Sequence, residues 1–271
     1  MEKTFEKNHF SKRLKSMLSV DIKRLFISPF FYIMVGISLA VPILILVMTT
    51  MMDGSVSVNP QTGQETVMHG FDYVWQILGS ISSSGSSEQA SMSMDLVSMC
   101  NINMMFFAIA VLVCVFVSDD FRSGYAKNLF TVRAKKTDYV ISKSIVGFIG
   151  AATMFVAFFI GAVIGGGVAG LPFGTSGITV ANVICCMLSK ILLAPVFVSI
   201  FTLMSVIAKQ KSWLSICLSL GVGMLLFMMI PSLTPLNANF VNVIICLFSG
   251  IIFAVGLGAI SNAVLKKTSL V

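Results

Sequence analysis

From Ser212 to Leu265 the chain runs for 54 residues without an Asp, Glu, Lys or Arg. Four more apolar runs precede it. Residues 30–52, 96–118 and 144–169 carry no charge, and 182–208 carry one, Lys190. Only 11% of the 271 residues are charged and 56% are apolar. A soluble domain has about 25% charged and about 45–50% apolar residues, so this chain lacks the polar surface to cover a soluble globule. Low hydrophobicity and high net charge are what keep a chain disordered, and this composition is the reverse. Strands of a membrane barrel would appear as ~10-residue alternating segments. Here the runs are continuous and of helix length, about 20 residues for a ~30 Å hydrocarbon core. The expected fold is therefore an all-α polytopic membrane protein.

The 54-residue stretch is long enough for two helices, and Pro231 and Pro235 in PSLTPLN break it. Six spans result: about 30–52, 96–118, 144–169, 182–208, 213–230 and 240–264. Residues 1–29 stand apart as a basic cytoplasmic segment, leaving 30–271 as one six-span domain. Basic residues orient the spans. Seven lie in 1–29, six in 119–143, and the rest include Lys209, Lys211, Lys266 and Lys267, so 17 of the 18 fall on one side. The segments 53–95, 170–181 and 231–239 have none, and the first carries Asp53, Glu65, Asp72, Glu88 and Asp95. The positive-inside rule then places both termini in the cytoplasm. The first run is too long for the 7–15-residue core of a signal peptide and no small-x-small site follows, so it reads as a retained span.

Phe10, Leu14, Met17, Leu18, Ile22, Leu25 and Phe26 recur every three or four residues among Lys12, Arg13, Lys15, Lys23 and Arg24. This predicts an amphipathic interfacial helix ending at Ser28-Pro29, the simpler reading being a polybasic flank that orients the first span. In the first external loop, Phe71, Val74, Trp75 and Leu78 predict a short helix resting on the outer leaflet. The Ser-rich stretch after it reads as a spacer or a lid. The six cysteines lie in or beside apolar runs, where they act as small hydrophobes rather than a disulfide framework.

Chemistry is sparse. His9 and His69 lie outside the spans, and no span contains Asp or Glu. Neither a nucleophile with its base nor a metal with its ligands can be assembled there, so the chain does not read as an enzyme. The same lack argues against a proton-coupled carrier. There is no Gly-Lys dipeptide, hence no P-loop. A GxGxxG match at Gly165, Gly167 and Gly170 lies at the end of a span with no βαβ unit around it. Gly161 and Gly165 form GxxxG instead, and Gly250, Ala254 and Gly258 make a second small-residue stripe, both suited to close helix packing. Lys190 has two readings: a side chain that snorkels to the outer interface or marks the true helix start, or a cation lining a substrate path.

The stretch 119–143, DDFRSGYAKNLFTVRAKKTDYVISK, joins the second and third spans. Phe121, Tyr125 and Leu129 are spaced to share one helical face, Arg122 and Lys127 take other faces, and Gly124 permits a bend or a close approach. Asp120-Phe121-Arg122-Ser123-Gly124, then Lys127-Asn128-Leu129, then Tyr139 and Lys143, resembles the first cytoplasmic loop of ABC-2-type permeases, of the bacitracin- and lantibiotic-exporter kind. The six-span topology and the basic N-terminal helix agree with that family. Its members often carry re-entrant helices between spans five and six, whereas here that link has only about ten residues.

The resemblance implies a permease subunit of an ATP-driven ABC exporter in a bacterial plasma membrane. Asp120, Phe121, Arg122, Gly124, Tyr125, Lys127, Asn128 and Leu129 would belong to a coupling helix seated on a separate ATPase. It implies no cofactor on this chain, with ATP and Mg on the partner. The partners would be two ATPase copies, a second permease copy or a similar permease, and the bilayer, with no nucleic acid. The implied substrate is a peptide, antibiotic, lipid or other amphipathic molecule. The alternatives are an ATP-independent secondary transporter or channel, and a membrane scaffold.

Overall fold

The computed structural model describes residues 2–53, 56–58, 65–67, 70–79, 101–132, 135–174, 177–209, 211–227 and 229–267. The Ser-rich stretch, Cys100 and Arg133 lie outside them. The α-helices are α1 (Glu2–Ile27), α2 (Pro29–Met52), α3 (Met105–Arg122), α4 (Tyr125–Val132), α5 (Lys136–Ala169), α6 (Val180–Ala208), α7 (Ser212–Phe227), α8 (Ile230–Leu233) and α9 (Phe240–Lys267). Two 3₁₀ turns, Val74–Leu78 and Ile102–Met104, and a small antiparallel hairpin complete the described elements. In the hairpin, β1 (Val56–Val58) pairs with β2 (Glu65–Val67).

Among the described residues, five helical segments are long and apolar enough to cross a membrane: Pro29–Met52, Ile102–Arg122, Lys136–Ala169, Val180–Ala208 and Phe240–Lys267. The helix in the expected fifth span, Ser212–Phe227, has 16 residues, or about 24 Å at 1.5 Å per residue. It ends early because the chain turns at Met229 into α8, whose second residue is Pro231. The link that follows does not lie outside the bundle. Ile230, Thr234, Leu236 and Ala238 are all buried.

Helix α6 is the hub and packs on α3, α5, α7 and above all α9, while α2 lies along α5. Small residues set both of the closest seams. A Cβ on Gly161 would strike the Leu39 carbonyl oxygen and come within 2.7 Å of the Pro42 ring, and one on Gly165 would lie 2.8 Å from the Ile43 Cα. A Cβ on Gly250 would lie 2.6 Å from the Leu192 carbonyl oxygen, which brings α9 onto α6 beside Pro195. Gly258 faces Val140 of α5 at an ordinary 4.0 Å, and Ala254 is partly buried. Gly161, Gly165 and Gly250 thus lie where helix backbones approach closely. Neutral polar pairs add to the packing: Ser205 meets Ser215 at 2.7 Å between α6 and α7, and Cys114 meets Ser219 at 3.0 Å between α3 and α7.

Three expectations change. The segment 71–78 does not rest on a leaflet; it is a plug. Phe71, Val74, Ile77 and Leu78 are buried, and Val74 packs where a side chain on Gly166 of α5 would sit. Trp75 stacks on Phe159 at 5.8 Å and donates from Nε1 to the Phe173 carbonyl at 2.7 Å. Secondly, the α1 stripe splits: Met17 and Leu25 are buried, while Phe10 and Phe26 remain exposed. Finally, α5 begins at Lys136, eight residues before the uncharged run, because the charges in its first turns are paired inside the protein.

Candidate functional site

The last turn of α3 and the first turns of α5 bracket a cluster of charges that no soluble-loop reading of 119–143 anticipates. Asp21 of α1, Asp120 of α3 and Lys143 of α5 are all buried. The Lys143 ammonium lies 2.8 Å from Asp21 Oδ1 and 2.6 Å from Asp120 Oδ2. Ser142 donates to Asp21 at 2.6 Å, and the Tyr139 hydroxyl donates to Asp120 at 3.0 Å. Arg24 pairs with Asp120 at 2.7 Å and sits 3.8 Å from Asp21. Two carboxylates thus meet two cations, Lys143 buried and Arg24 half-buried, so the set is neutral as a whole. Isolated buried charges cost several kcal/mol each, and only such mutual pairing with hydrogen bonds offsets that.

Aromatic rings close the cluster. The Arg24 guanidinium lies 4.2 Å from the Tyr125 ring centroid, and the Lys143 ammonium 4.3 Å from that of Phe116, both in cation–π range. Burial works against the Arg24 charge, but Asp120, Tyr125 and Asp21 outweigh it and hold its pKa above the ordinary value. A second ion pair, Arg13 to Asp138 at 3.3 Å, ties α1 to the start of α5 further along. Lys136 donates to the Leu265 carbonyl at 2.6 Å and so caps the last turn of α9.

The expected docking face is redistributed by one residue. Gly124 has φ +73°, a left-handed conformation that glycine adopts freely, and it lies between the end of α3 at Arg122 and the start of α4 at Tyr125. A Cβ there would meet nothing within 4 Å, so the bend, and not a close approach, is what favours glycine. Phe121 therefore belongs to α3, is buried and packs edge-on against Tyr139 at 6.2 Å. Tyr125 and Leu129 are partly buried on α4, and Ala126 is fully so. Asp120 lies in the charge cluster. Phe121, Tyr125 and Leu129 are thus not one exposed apolar face; they are the anchors that seat α4 on the bundle. Arg122, Lys127, Asn128 and Thr131 form the exposed side of this elbow. Spacing alone missed the division because i, i+4 counting assumes an unbroken helix.

Lys190 occupies a second polar site at the far end of α3. It lies ten residues into α6 and is 0% exposed, so it neither snorkels nor starts the helix. Its ammonium donates to Asn103 Oδ1 at 2.7 Å and Thr234 Oγ1 at 2.9 Å, with the Thr234 carbonyl at 3.5 Å. These partners are neutral. A charge at bilayer depth costs roughly 2.5–3.5 kcal/mol on insertion scales, and among the described residues hydrogen bonds are what meet that cost. Asn103 precedes α3 and Thr234 ends α8, so one side chain joins three segments distant in sequence.

This fold, with several long apolar helices around internal polar contacts, defines a multi-pass helical membrane protein. The family model described as ABC-2 family transporter protein matches residues 22–226, most of the chain. The chain belongs to that family and is a membrane component of an ABC transporter, a class of permease that normally works with an ATPase subunit. Comparison with curated proteins and with solved structures returned no match.

Proposed function

We propose that this chain is the permease subunit of an ATP-driven exporter, with six spans, both termini in the cytoplasm, and the α3–α4 elbow as the element that seats on a separate ATPase. The observation that carries the reading is the elbow itself. A short helix between two spanning helices turns an exposed side of Arg122, Lys127, Asn128 and Thr131 outward, while its opposite side is anchored to a buried charge cluster. Exposed cations there suit acidic groups on a partner through charge-assisted hydrogen bonds. The anchoring suits transmission, because a push on α4 is delivered to α1, α3 and α5 together. Six spans make half of a twelve-span pathway, so the working unit pairs this chain with a second copy or a similar permease, and with two ATPases that bind ATP and Mg. The 17-of-18 partition of basic residues supports the orientation, and α7 with α8 and the buried link completes the fifth crossing. The transported molecule is an amphipathic peptide, antibiotic or lipid, as the resemblance of residues 119–143 to bacitracin- and lantibiotic-exporter permeases implies.

Purification from native membranes tests this reading. A P-loop ATPase should co-purify in equal ratio with the chain, and Arg122→Glu with Lys127→Glu should lose it while insertion stays normal. A chain that transports with no ATPase bound would overturn the proposal in favour of a secondary transporter.

A further inference from the structure

Lys190 and the Asp21–Lys143 cluster sit at opposite ends of α3, whose 18 residues span about 27 Å. At the Lys190 end, four segments converge. Lys190 bonds to Asn103 before α3 and to Thr234 after α8. One turn away on the same helix, Cys186 Sγ approaches the Leu78 carbonyl at 3.9 Å and the Thr234 carbonyl at 3.7 Å, and Leu78 is the last residue of the plug. Gly79, just after the plug, faces the Thr234 carbonyl with 3.6 Å to an added Cβ. The plug, the start of α3 and the link before α9 therefore close over one ammonium group.

The electrostatics of the two ends differ. At the Asp21–Lys143 end each buried cation meets a carboxylate. At the Lys190 end, no ion pair forms among the described residues, and the charge rests on an amide oxygen, a hydroxyl and a carbonyl. Hydrogen bonds to neutral groups leave an ammonium's net charge in place, so a protonated lysine held this way attracts an anion and repels a cation. Asn103 and Thr234 belong to segments that part if the plug end opens, and their separation would free two of the Lys190 N–H donors at once.

We propose that Lys190 is the anion-recognition residue of the transport path, binding the phosphate or carboxylate of an amphipathic molecule when the plug lifts. This rests on the permease reading above and gives its substrate an acidic headgroup. A membrane lipid and a free acidic amphiphile share that chemistry, and both are tested below.

The reporter is Trp75, which lies in the plug. The chain has two tryptophans, and Trp213 is exposed, so Trp213→Phe leaves the indole of the plug as the single reporter. The full chain in a neutral maltoside detergent is titrated with dodecyl phosphate and, in parallel, with dodecyltrimethylammonium. Dodecyl phosphate should change Trp75 emission saturably and the cation should not. Lys190→Gln should weaken that response at least tenfold, Lys190→Arg should keep it, and Thr234→Val, which removes a competing hydroxyl, should keep or tighten it. Reconstitution into vesicles of phosphatidylglycerol rather than phosphatidylcholine should reproduce the emission change if the source is a lipid, and leave dodecyl phosphate as the only effective probe if it is not.

Equal responses from Lys190→Gln and the wild type, or an equal response to the cation, would overturn the proposal. Loss of the phosphate response in Thr234→Val while its fold is intact would overturn it too, since that is the behaviour of a purely structural clamp. The assay contains no ATPase, so its failure is separable from a failure to recover one.

Discussion

The Lys143 ammonium lies 2.6 Å from the Asp120 carboxylate, a contact that joins the first turns of α5 to the last turn of α3 across the elbow. Asp21 shares the same ammonium at 2.8 Å, so α1 is held in the same knot. Removing Lys143 leaves two buried carboxylates facing one arginine. Lys143→Met should therefore destabilise the protein by about 3–5 kcal/mol. Asp120→Asn added to it restores charge balance and keeps an acceptor for Tyr139, and should recover at least half of that loss. Unfolding of the two single variants and the double in detergent measures the coupling; simply additive losses would show that the charges do not act as a set.

The two glycine seams make a paired prediction. Gly161 lies against the Leu39 carbonyl and the Pro42 ring, whereas Gly167, two turns on, has open space around it. Gly161→Ala forces α2 and α5 apart and should cost about 1–3 kcal/mol by overpacking. Gly167→Ala should be neutral or stabilising by about 0.5–1 kcal/mol, the usual gain for alanine in a helix. Thermal unfolding of the two variants side by side checks the contrast.

The apolar helices were legible because hydropathy reports what faces lipid or core, and a charge-free run cannot hide. Phe30 to Met52 fell within one residue of α2. The same rule failed where charges are buried. Lys136 to Lys143 read as cytoplasmic loop because the rule assigns charge to water, whereas Asp138, Lys143 and Asp120 find partners on other helices. Asp21 was hidden for the same reason in the middle of an apolar stripe. Asp21 and Lys143 are 122 residues apart and Arg13 and Asp138 125, and single-helix periodicity carries no such pairing. The plug was missed for a different reason. Its apolar spacing was read correctly, but spacing does not distinguish a lipid surface from a protein groove.

Orientation is open to a direct experiment. Gly174 is exposed in the turn between α5 and α6, and Lys267 ends α9. Alkaline phosphatase fused after Gly174 should be active and after Lys267 inactive, with a fluorescent-protein fusion giving the reverse. Activity at both positions would mean an odd number of spans between them is wrong.

Alkaline pH gives a further check. Tyr125 lies outside the spanning helices. Burial, first, and then Asp21 raise its pKa above the ordinary 10.0, with Arg24 opposing. A raised folded-state pKa means the folded form holds the proton more tightly. That stability is complete below the unfolded value and is lost as pH rises through the folded one. The wild type should lose stability as pH climbs above about 10, and Tyr125→Phe should lose less over the same interval. Denaturation midpoints measured across that range test the difference.

The elbow and its knot make separable contributions if the elbow seats an ATPase. Lys127 and Arg122 are exposed and meet the partner, so reversing them should weaken ATPase binding by tenfold or more, equivalent to roughly 1.4 kcal/mol. Asp120 and Lys143 are buried and touch no partner. The charge-balanced pair Asp120→Asn with Lys143→Met should leave ATPase binding within about twofold, since the outer side of α4 is unchanged and a twofold change is only a few tenths of a kcal/mol. What it should lose is transmission: with α3 released from α1 and α5, motion of α4 is absorbed locally. Transport per ATP hydrolysed, measured in vesicles holding both subunits, should fall several-fold in this variant while hydrolysis continues. A fall in binding instead would make the knot a support for the docking surface, and unchanged transport per ATP would remove it from the coupling path.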